Sequence, residues 1–513
     1  MRGPFALALA FALVALALLA GCAVGPDYRR PPVTVPEQIR GQEKPAEAAP
    51  AGAGPAEPAP TGVGAAEAKP GEPSSSDIAS LADRAWWEIF QDGTLKTLID
   101  EALRNGYDVR LAAWRVEEAR ADAGIARSEF FPQVQAGGGW SRSRRSGFSS
   151  PITKPVNVYD VNLGLSWEID LWGRIRRLNE AALARYLATE EGRRGVLLSL
   201  VSDVATAYFR LRELDFQLEI ARRTATAFQE THALFSRRLE AGAASALETS
   251  SAEASLATTT ASIPDLERQI TAQEDRLALL LGRNPGDIPR GVALNDQLLP
   301  PEIPAGLPSD LLQRRPDLRQ AEQDLVAANA EVGIATANYF PAISLTGAFG
   351  GVAPQVSDLF GQGRTWSVGG GLLSPIFQGR RLKNQHRAAV ARWEEAKVEY
   401  EQSVTNAFAE VSTALAAYQK LADVEKEQAR AVAAYREAVR LSNSRYLGGL
   451  SDYLEVLQAQ QQLFPAENSL ARTRFDRLAT LVQIYRALGG GWKLTDQEWT
   501  EPVGGAATAA QTR

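Results

Sequence analysis

The side chains that ordinarily carry catalysis are scarce and badly spaced in this chain of 513 residues. It has one cysteine, two histidines and a single methionine, which is the first residue. His232 and His386 stand 154 positions apart, so no His-Glu-x-x-His metal helix exists. One thiol also excludes a zinc site built on several thiolates and an internal disulfide framework. Glu168 and Asp170 fall two residues apart on one face of an expected strand. Such a pair could serve acid–base hydrolysis, but two polar groups on a wet strand face are the simpler explanation. There is no P-loop, no Gly-x-Ser-x-Gly elbow and no dinucleotide fingerprint. With 55 basic against 61 acidic side chains the net charge is −6, which gives no basic footprint for nucleic acid. The expectation is a protein with no catalytic residues, no metal and no cofactor, whose two histidines lie on solvated helix faces.

The single thiol sits where its chemistry can be read. Met1-Arg2 gives a positive start, Phe5 to Ala20 is an unbroken apolar run, and Leu19-Ala20-Gly21-Cys22 follows. A charged start, a short apolar core and small residues describe a secretory signal peptide; spanning a bilayer as a helix needs about 20 apolar residues. The Leu-Ala-Gly-Cys ending is similar to the bacterial lipobox, which predicts cleavage of residues 1–21 and lipidation of Cys22. Several acyl chains on Cys22 would anchor the mature N-terminus. Ala23, in place of an aspartate, points to the outer membrane. Residues 22–76 then form an anchored segment and tether, because the stretch from Glu43 to Ser76 is dominated by Pro, Ala, Gly and Glu and buries too little apolar surface to fold. Residues 493–513 are a second loose tail.

Length alone suggests about three domains, but the remainder repeats itself. Asp108-Val109-Arg110, Gly124-Ile125-Ala126 and Phe131-Pro132 recur 209 residues later as Asp317-Leu318-Arg319, Gly333-Ile334-Ala335 and Phe340-Pro341. Further on, Arg238 and Gly242 recur 207 residues later as Arg445 and Gly449. This period exceeds any solenoid unit. It describes a duplicated half-protein, with a first repeat over 77–300 and a second over 301–492, related by pseudo-symmetry.

Each half has the order helix, two strands, two long helices. Arg174 to Glu240 contains no proline, and as one helix would reach about 100 Å; its partner spans about Arg381 to Leu447. Heptad-like apolar positions such as Val201, Val204, Tyr208, Leu211 and Leu218 suit helices packed side by side. Pro264 and Pro465 are expected to kink or end helical segments. Strands are expected at about 132–145, 156–172, 341–350 and 365–377. From Asp160 to Leu171 the alternation is unbroken: Val161, Leu163, Leu165, Trp167, Ile169 and Leu171 point one way, and Asp160, Asn162, Ser166 and Glu168 the other. Twelve such residues suit a tilted membrane strand with an apolar lipid face and a polar lumen face, although a soluble sheet with one wet face gives the same pattern. Trp140, Trp172 and Trp366 at strand ends would form an aromatic girdle. Four strands cannot close a barrel and open edges do not survive in lipid, so copies must associate. Two copies supply 8 strands and three supply 12, and arithmetic alone does not choose.

Two turns join the long helices, Arg238 to Glu248 and Arg445 to Glu455. Gly242 and Gly449 permit the left-handed backbone of such a turn. Ser245 with Glu248, and Asp452 with Glu455, have capping-box spacing.

Taken together, the lipobox, Val24-Gly25-Pro26-Asp27-Tyr28, Trp86-Trp87, Phe131-Pro132, the run from Glu168 to Arg174, Arg314-Arg315-Pro316-Asp317, Arg445-Tyr446 with Gly449, and the closing Leu488-Gly489-Gly490-Gly491-Trp492 resemble the outer membrane factor lipoproteins of TolC/OprM/NodT type. The resemblance implies a mixed α/β, internally duplicated membrane protein: a homotrimer with a 12-stranded outer-membrane β-barrel, four strands per chain, continued by a long α-helical periplasmic barrel. It implies partners as well, namely a periplasmic adaptor, an inner-membrane pump of the resistance-nodulation-division class and outer-membrane lipid. The function implied is export of drugs or other small toxic compounds. The same channel could instead serve metal-ion efflux or type I protein secretion; a non-conducting lipoprotein scaffold is a third possibility, disfavoured by the strand alternation. In the family the two turns form the periplasmic tip. The resemblance therefore assigns adaptor contact to Arg238, Gly242, Ser245, Glu248, Arg445 and Gly449, and a gate to Tyr446, Asp452, Glu455 and Gln458. Ser451 and Gln458 depart from some relatives, which carry an arginine and a second aspartate there. Glu455 is expected to line the gate, to cap a helix, or both.

Overall fold

The computed structural model describes residues 23–33, 35–36, 81–83, 85–144, 154–299, 303 and 310–491. The signal segment, the lipidation residue Cys22, the 43–76 stretch and the 493–513 tail lie outside the described residues. Helices α1 (Gly93–Asn105) and α2 (Tyr107–Ser128) precede strands β1 (Gln133–Ser143) and β2 (Val156–Ile169). Helices α3 (Arg174–Glu240) and α4 (Ala246–Leu280) follow. The second series is α5 (Pro316–Ala337), β3 (Ala342–Ala353), β4 (Arg364–Leu373), α6 (Arg381–Leu447) and α7 (Tyr453–Ala487). The duplication is legible in lengths: α3 and α6 both have 67 residues, and α4 and α7 both have 35.

Pro264 and Pro465 end no helix; each lies inside a continuous 35-residue element. One missing backbone bond is a local loss, set against side-chain packing along the whole helix. Three strand ends differ from expectation by three residues or more, and β3 runs on to Ala353 rather than 350. β2 stops at Ile169 because Asp170 turns away to cap α3, and β4 stops at Leu373, ahead of Pro375, which has no N–H to give a ladder.

The chain divides into two compact units that do not follow the two repeats, since each takes segments from both. The first comprises residues 1–33, 114–191 and 319–403. Its centre is a four-stranded antiparallel sheet in the order β1-β2-β3-β4. The N-terminal segment is strapped onto this unit. Val24 N–H donates to the Trp172 carbonyl at 3.0 Å, Asp27 accepts from the Arg177 guanidinium at 2.8 Å, and Arg30 grips Glu322.

The second unit comprises residues 34–113, 192–318 and 404–513. Its core gathers Trp86, Leu98, Ile99, Val204, Tyr208, Leu211, Leu277, Val411, Leu481 and Tyr485, all nearly inaccessible. Asp92, 1% exposed, is a buried hub. Its carboxylate accepts the backbone N–H groups of Thr94, Leu95 and Val292, the Tyr208 hydroxyl at 2.9 Å and the Gln297 amide at 3.0 Å. A buried carboxylate is tolerated only with this many donors. Arg315 does the corresponding work at the far end of α7: it donates to the Ala487 carbonyl at 3.0 Å while pairing with Asp317 and Glu410. A cation is favourable at a helix C-terminus.

Candidate functional site

The strand register sorts the sheet into two chemically distinct faces. Pairing of Gly139 with Asp160, Gly137 with Asn162, Asp160 with Val352, Ser166 with Thr346, Thr346 with Gly369 and Ala348 with Ser367 places one set of residues together. That face carries Gln133, Gln135, Asp160, Asn162, Ser166, Glu168, Ser344, Thr346, Thr365 and Ser367, with glycines between and Val156, Val158, Val352 and Leu373 toward its ends. The opposite face carries Val134, Trp140, Val161, Leu163, Leu165, Trp167, Ile343, Leu345, Phe349, Trp366, Val368 and Leu372. Alternation read on β2 alone thus extends to all four strands, because antiparallel pairing carries the parity of one strand to the next. Asp160 and Asn162 lean over Gly139 and Gly137 of β1: a Cβ at those glycines would stand 2.6 Å and 2.8 Å from the Asp160 and Asn162 side-chain oxygens. The apolar face stays exposed, with Leu163 at 50% and Val368 at 81%. In water such a face would be costly.

At the helix end of the sheet the carboxylates have structural partners. Glu168 binds the Arg174 guanidinium through both oxygens, at 2.8 and 2.7 Å. Asp170 accepts the N–H groups of Ile175 and Arg176, at 3.0 and 2.9 Å, and so holds the N-terminus of α3. They do not form a carboxylate pair for hydrolysis. Trp172 donates to the Pro341 carbonyl at 2.8 Å and stacks on Phe340, and Trp167 donates to the Phe130 carbonyl at 3.0 Å. The amphipathic indoles are thereby fixed at this end of the apolar face, while Trp140 and Trp366 stand at the other. His232 and His386 are both half-buried rather than fully solvated: His232 lies 3.5 Å from the Ser236 hydroxyl, and His386 meets the Tyr339 ring edge-on.

The two turns between the long helices share one backbone. Gly242 has φ +73° and Gly449 φ +72°, a region that costs an L-residue 1–2 kcal/mol, about the amount glycine avoids. In the first, Gly242 N–H donates to Leu239 and Ala243 N–H to Arg238; in the second, Gly449 N–H donates to Tyr446 and Leu450 N–H to Arg445. Both are Schellman closures. Their side chains diverge. Ser245 and Glu248 complete the capping box reciprocally. Asp452 makes no side-chain cap, contrary to its spacing. The Glu455 carboxylate lies 3.5 Å from the Arg445 guanidinium instead of returning to the backbone. Glu455 therefore caps nothing, and Asp452, Glu455 and Gln458 form one exposed stripe at three-residue spacing.

The turns are also joined to each other. Arg238 donates to the Tyr446 hydroxyl, and its guanidinium lies 5.2 Å over the Tyr446 ring. Tyr446, Tyr453 and Phe235 form an aromatic cluster, with centroids 5.3 Å apart for the tyrosine pair and 4.4 Å for Phe235 with Tyr453. Burial pushes the Tyr453 hydroxyl's pKa up, opposed by its hydrogen bond with Thr231. The Ser451 hydroxyl is buried without a partner among the described residues. Sequence spacing does not reveal the Arg238–Tyr446 clamp; the available signal was the repeat, which sets Tyr446 beside Arg445, the counterpart of Arg238.

Comparison with known proteins accounts for this architecture. The family described as outer membrane efflux protein matches residues 98–283 and 307–490. The solvent efflux pump outer membrane protein SrpC of Pseudomonas putida is 36% identical over 487 residues, covering 94% of this chain and 98% of that protein. The cation efflux system protein CusC of Escherichia coli O6:H1 is 33% identical over 496 residues, covering 96% of this chain and 98% of that protein. Among solved structures, the MtrE outer membrane channel of Neisseria gonorrhoeae in its open state superposes with a TM-score of 0.77 at 30% identity, covering 94% of this chain and all of that one.

Proposed function

The chain belongs to the outer membrane efflux protein family, and from that premise we propose that it is the exit duct of a tripartite pump carrying drugs or other small toxic compounds out of the cell. Its place is the outer membrane, and its fold is that of the trimeric channels in this family, with four strands per chain entering the barrel. The observation that carries the proposal is the division of all four strands into a polar and an apolar face. A lipid-facing barrel with a wet lumen requires this division, and a scaffold does not. Asp160, Asn162, Ser166 and Glu168 line the lumen in this account.

The two turns sit at the periplasmic end. Arg238, Gly242, Ser245, Glu248, Arg445 and Gly449 shape the surface offered to a periplasmic adaptor, and Tyr446, Asp452, Glu455 and Gln458 belong to the gate. Three copies would bring three Glu455 carboxylates to one entrance, which favours cations and restrains flow while the turns stay clamped. Lipid on Cys22 holds the N-terminus at the membrane. No residue performs covalent chemistry, and the energy comes from an inner-membrane pump, of the resistance-nodulation-division class. Metal-ion efflux and type I protein secretion are the rival cargo classes; SrpC and CusC, similarly related to this chain, are named for solvents and for cations. The direct test is accumulation of a fluorescent pump substrate in cells lacking this chain. Retention should rise, and the intact gene should reverse it. Retention unchanged by the loss would contradict the proposal.

A further inference from the structure

The apolar face of the sheet ends, on the side away from the helices, in two matching pairs. On β1, Trp140 is followed two residues outward by Arg142; on β4, Trp366 is preceded two residues outward by Arg364. Spacing of two puts each arginine on the same face as its tryptophan. Register agrees, since Trp140 pairs with Tyr159, Phe349 with Trp366 and Gly351 with Arg364. All four side chains are exposed, the indoles by 64% and 75%. Neither Arg142 nor Arg364 has an ion-pair or hydrogen-bond partner for its guanidinium among the described residues. Several other arginines of the first unit, including Arg30, Arg174, Arg176 and Arg177, are held by carboxylates.

The connection from β3 to β4 adds an apolar shelf. It folds back onto this same face: a Cβ on Gly351 would meet the Leu359 carbonyl at 1.9 Å, and one on Gly363 would meet Ala353 at 2.9 Å. Leu359 and Ala353 are buried by the fold-back, while Val356 and Phe360 remain 61% and 66% exposed.

β1 and β4 are the two unpaired edges of the sheet. In the closed trimer, β1 of one copy must therefore adjoin β4 of the next, at a spacing of ~4.8 Å between strands. Each arginine lies just beyond the apolar row of its own strand, so alignment of those rows with the hydrocarbon sets both at one depth. Two guanidinium groups then stand on adjoining strands with no carboxylate between them, which is unfavourable unless an anion bridges them. The surroundings name the anion's carrier. Two indoles suit the headgroup level, and the exposed Val356 and Phe360 of the connection offer apolar surface beside the arginines.

We propose that each boundary between copies carries a binding site for the phosphate groups of an outer-leaflet lipid, formed by Arg142 and Trp140 of one copy with Arg364 and Trp366 of the next. The site rests on the trimeric barrel and goes beyond the export function. Native mass spectrometry of the detergent-solubilised trimer tests it, using bis-phosphorylated lipid A, the same lipid stripped of phosphate, and sodium phosphate as probes. The wild-type trimer should take up to three lipid A molecules. Arg142→Gln with Arg364→Gln should lower occupancy about tenfold or more, the scale of losing charge-assisted hydrogen bonds. The dephosphorylated lipid should bind the wild type no better than lipid A binds that variant, and sodium phosphate alone should displace little lipid A. If the glutamine variant fails to trimerise, Arg142→Lys with Arg364→Lys replaces it: lysine keeps the charge but not the forked geometry, and should weaken binding by a smaller factor. Equal lipid A binding by trimeric wild type and the glutamine variant overturns the site alone, as does indifference to the lipid's phosphates. Complete displacement by sodium phosphate overturns the lipid as its occupant. Absence of a trimer in the wild type overturns the assembly on which the site rests.

Discussion

The two helix-to-helix turns are copies of one backbone with different fastenings. Both have a left-handed glycine and the same pair of closing hydrogen bonds, at positions 207 residues apart. The first then locks itself with a complete Ser245–Glu248 box. The second leaves Asp452 unused, sends Glu455 to Arg445, and holds Tyr446 against Arg238 of the first. Local bonds within one turn survive any movement of that turn as a body. Contacts from one turn to another do not, so the difference separates a fixed turn from a releasable one. Duplication supplied the backbone, and divergence at seven of the eleven positions of the turn supplied the asymmetry.

The largest effects should come from what the turns share. Gly242→Ala and Gly449→Ala each impose the left-handed region on an L-residue and should each cost about 1–2 kcal/mol. Nothing stands within 4 Å of either added Cβ, so the two losses in thermal midpoint should be equal. A marked inequality would break the equivalence of the two backbones. Next come the caps. Ser245→Ala should cost about 1 kcal/mol, whereas Asp452→Ala should leave the melting midpoint unchanged. Equal losses would mean that Asp452 caps its helix after all. Smallest in stability is the ion pair: both partners are about half exposed, so Glu455→Gln should cost a few tenths of a kcal/mol at most. Its consequence lies elsewhere, in reduced preference for cations across a planar bilayer. Unchanged selectivity would remove Glu455 from the gate.

Much of the architecture was legible because it is written in long periods. The 209- and 207-residue offsets, the proline-free stretch from Arg174 to Glu240 and the alternation of β2 each extend over enough residues for one pattern to dominate local preference. Pairings between distant segments were not legible. Spacing predicted a box at Asp452, but it cannot show that Asp452 leaves the helix uncapped and that Glu455 pairs with Arg445. It could not bring Arg238 to Tyr446, nor show that each compact unit draws segments from both repeats. Asp92 carries no motif at all, since its five donors come from residues up to 205 positions away. Strand ends failed for a simpler reason: apolar residues continue past Leu373 to Ile376 and Phe377, while Pro375 cannot extend the ladder.

If the second turn holds the conduit shut, as proposed, conductance of the reconstituted trimer reports it most directly. Arg238→Gln together with Arg445→Gln removes the turn-to-turn clamp and the Arg445–Glu455 pair in all three copies without touching either glycine or the Ser245 box. At about 0.5–1 kcal/mol for each copy's contacts, open-channel occupancy should rise about tenfold or more over wild type, with each event cation-selective. A loosened trimer that passes no ions, in a bilayer where it is inserted and intact, would contradict the account.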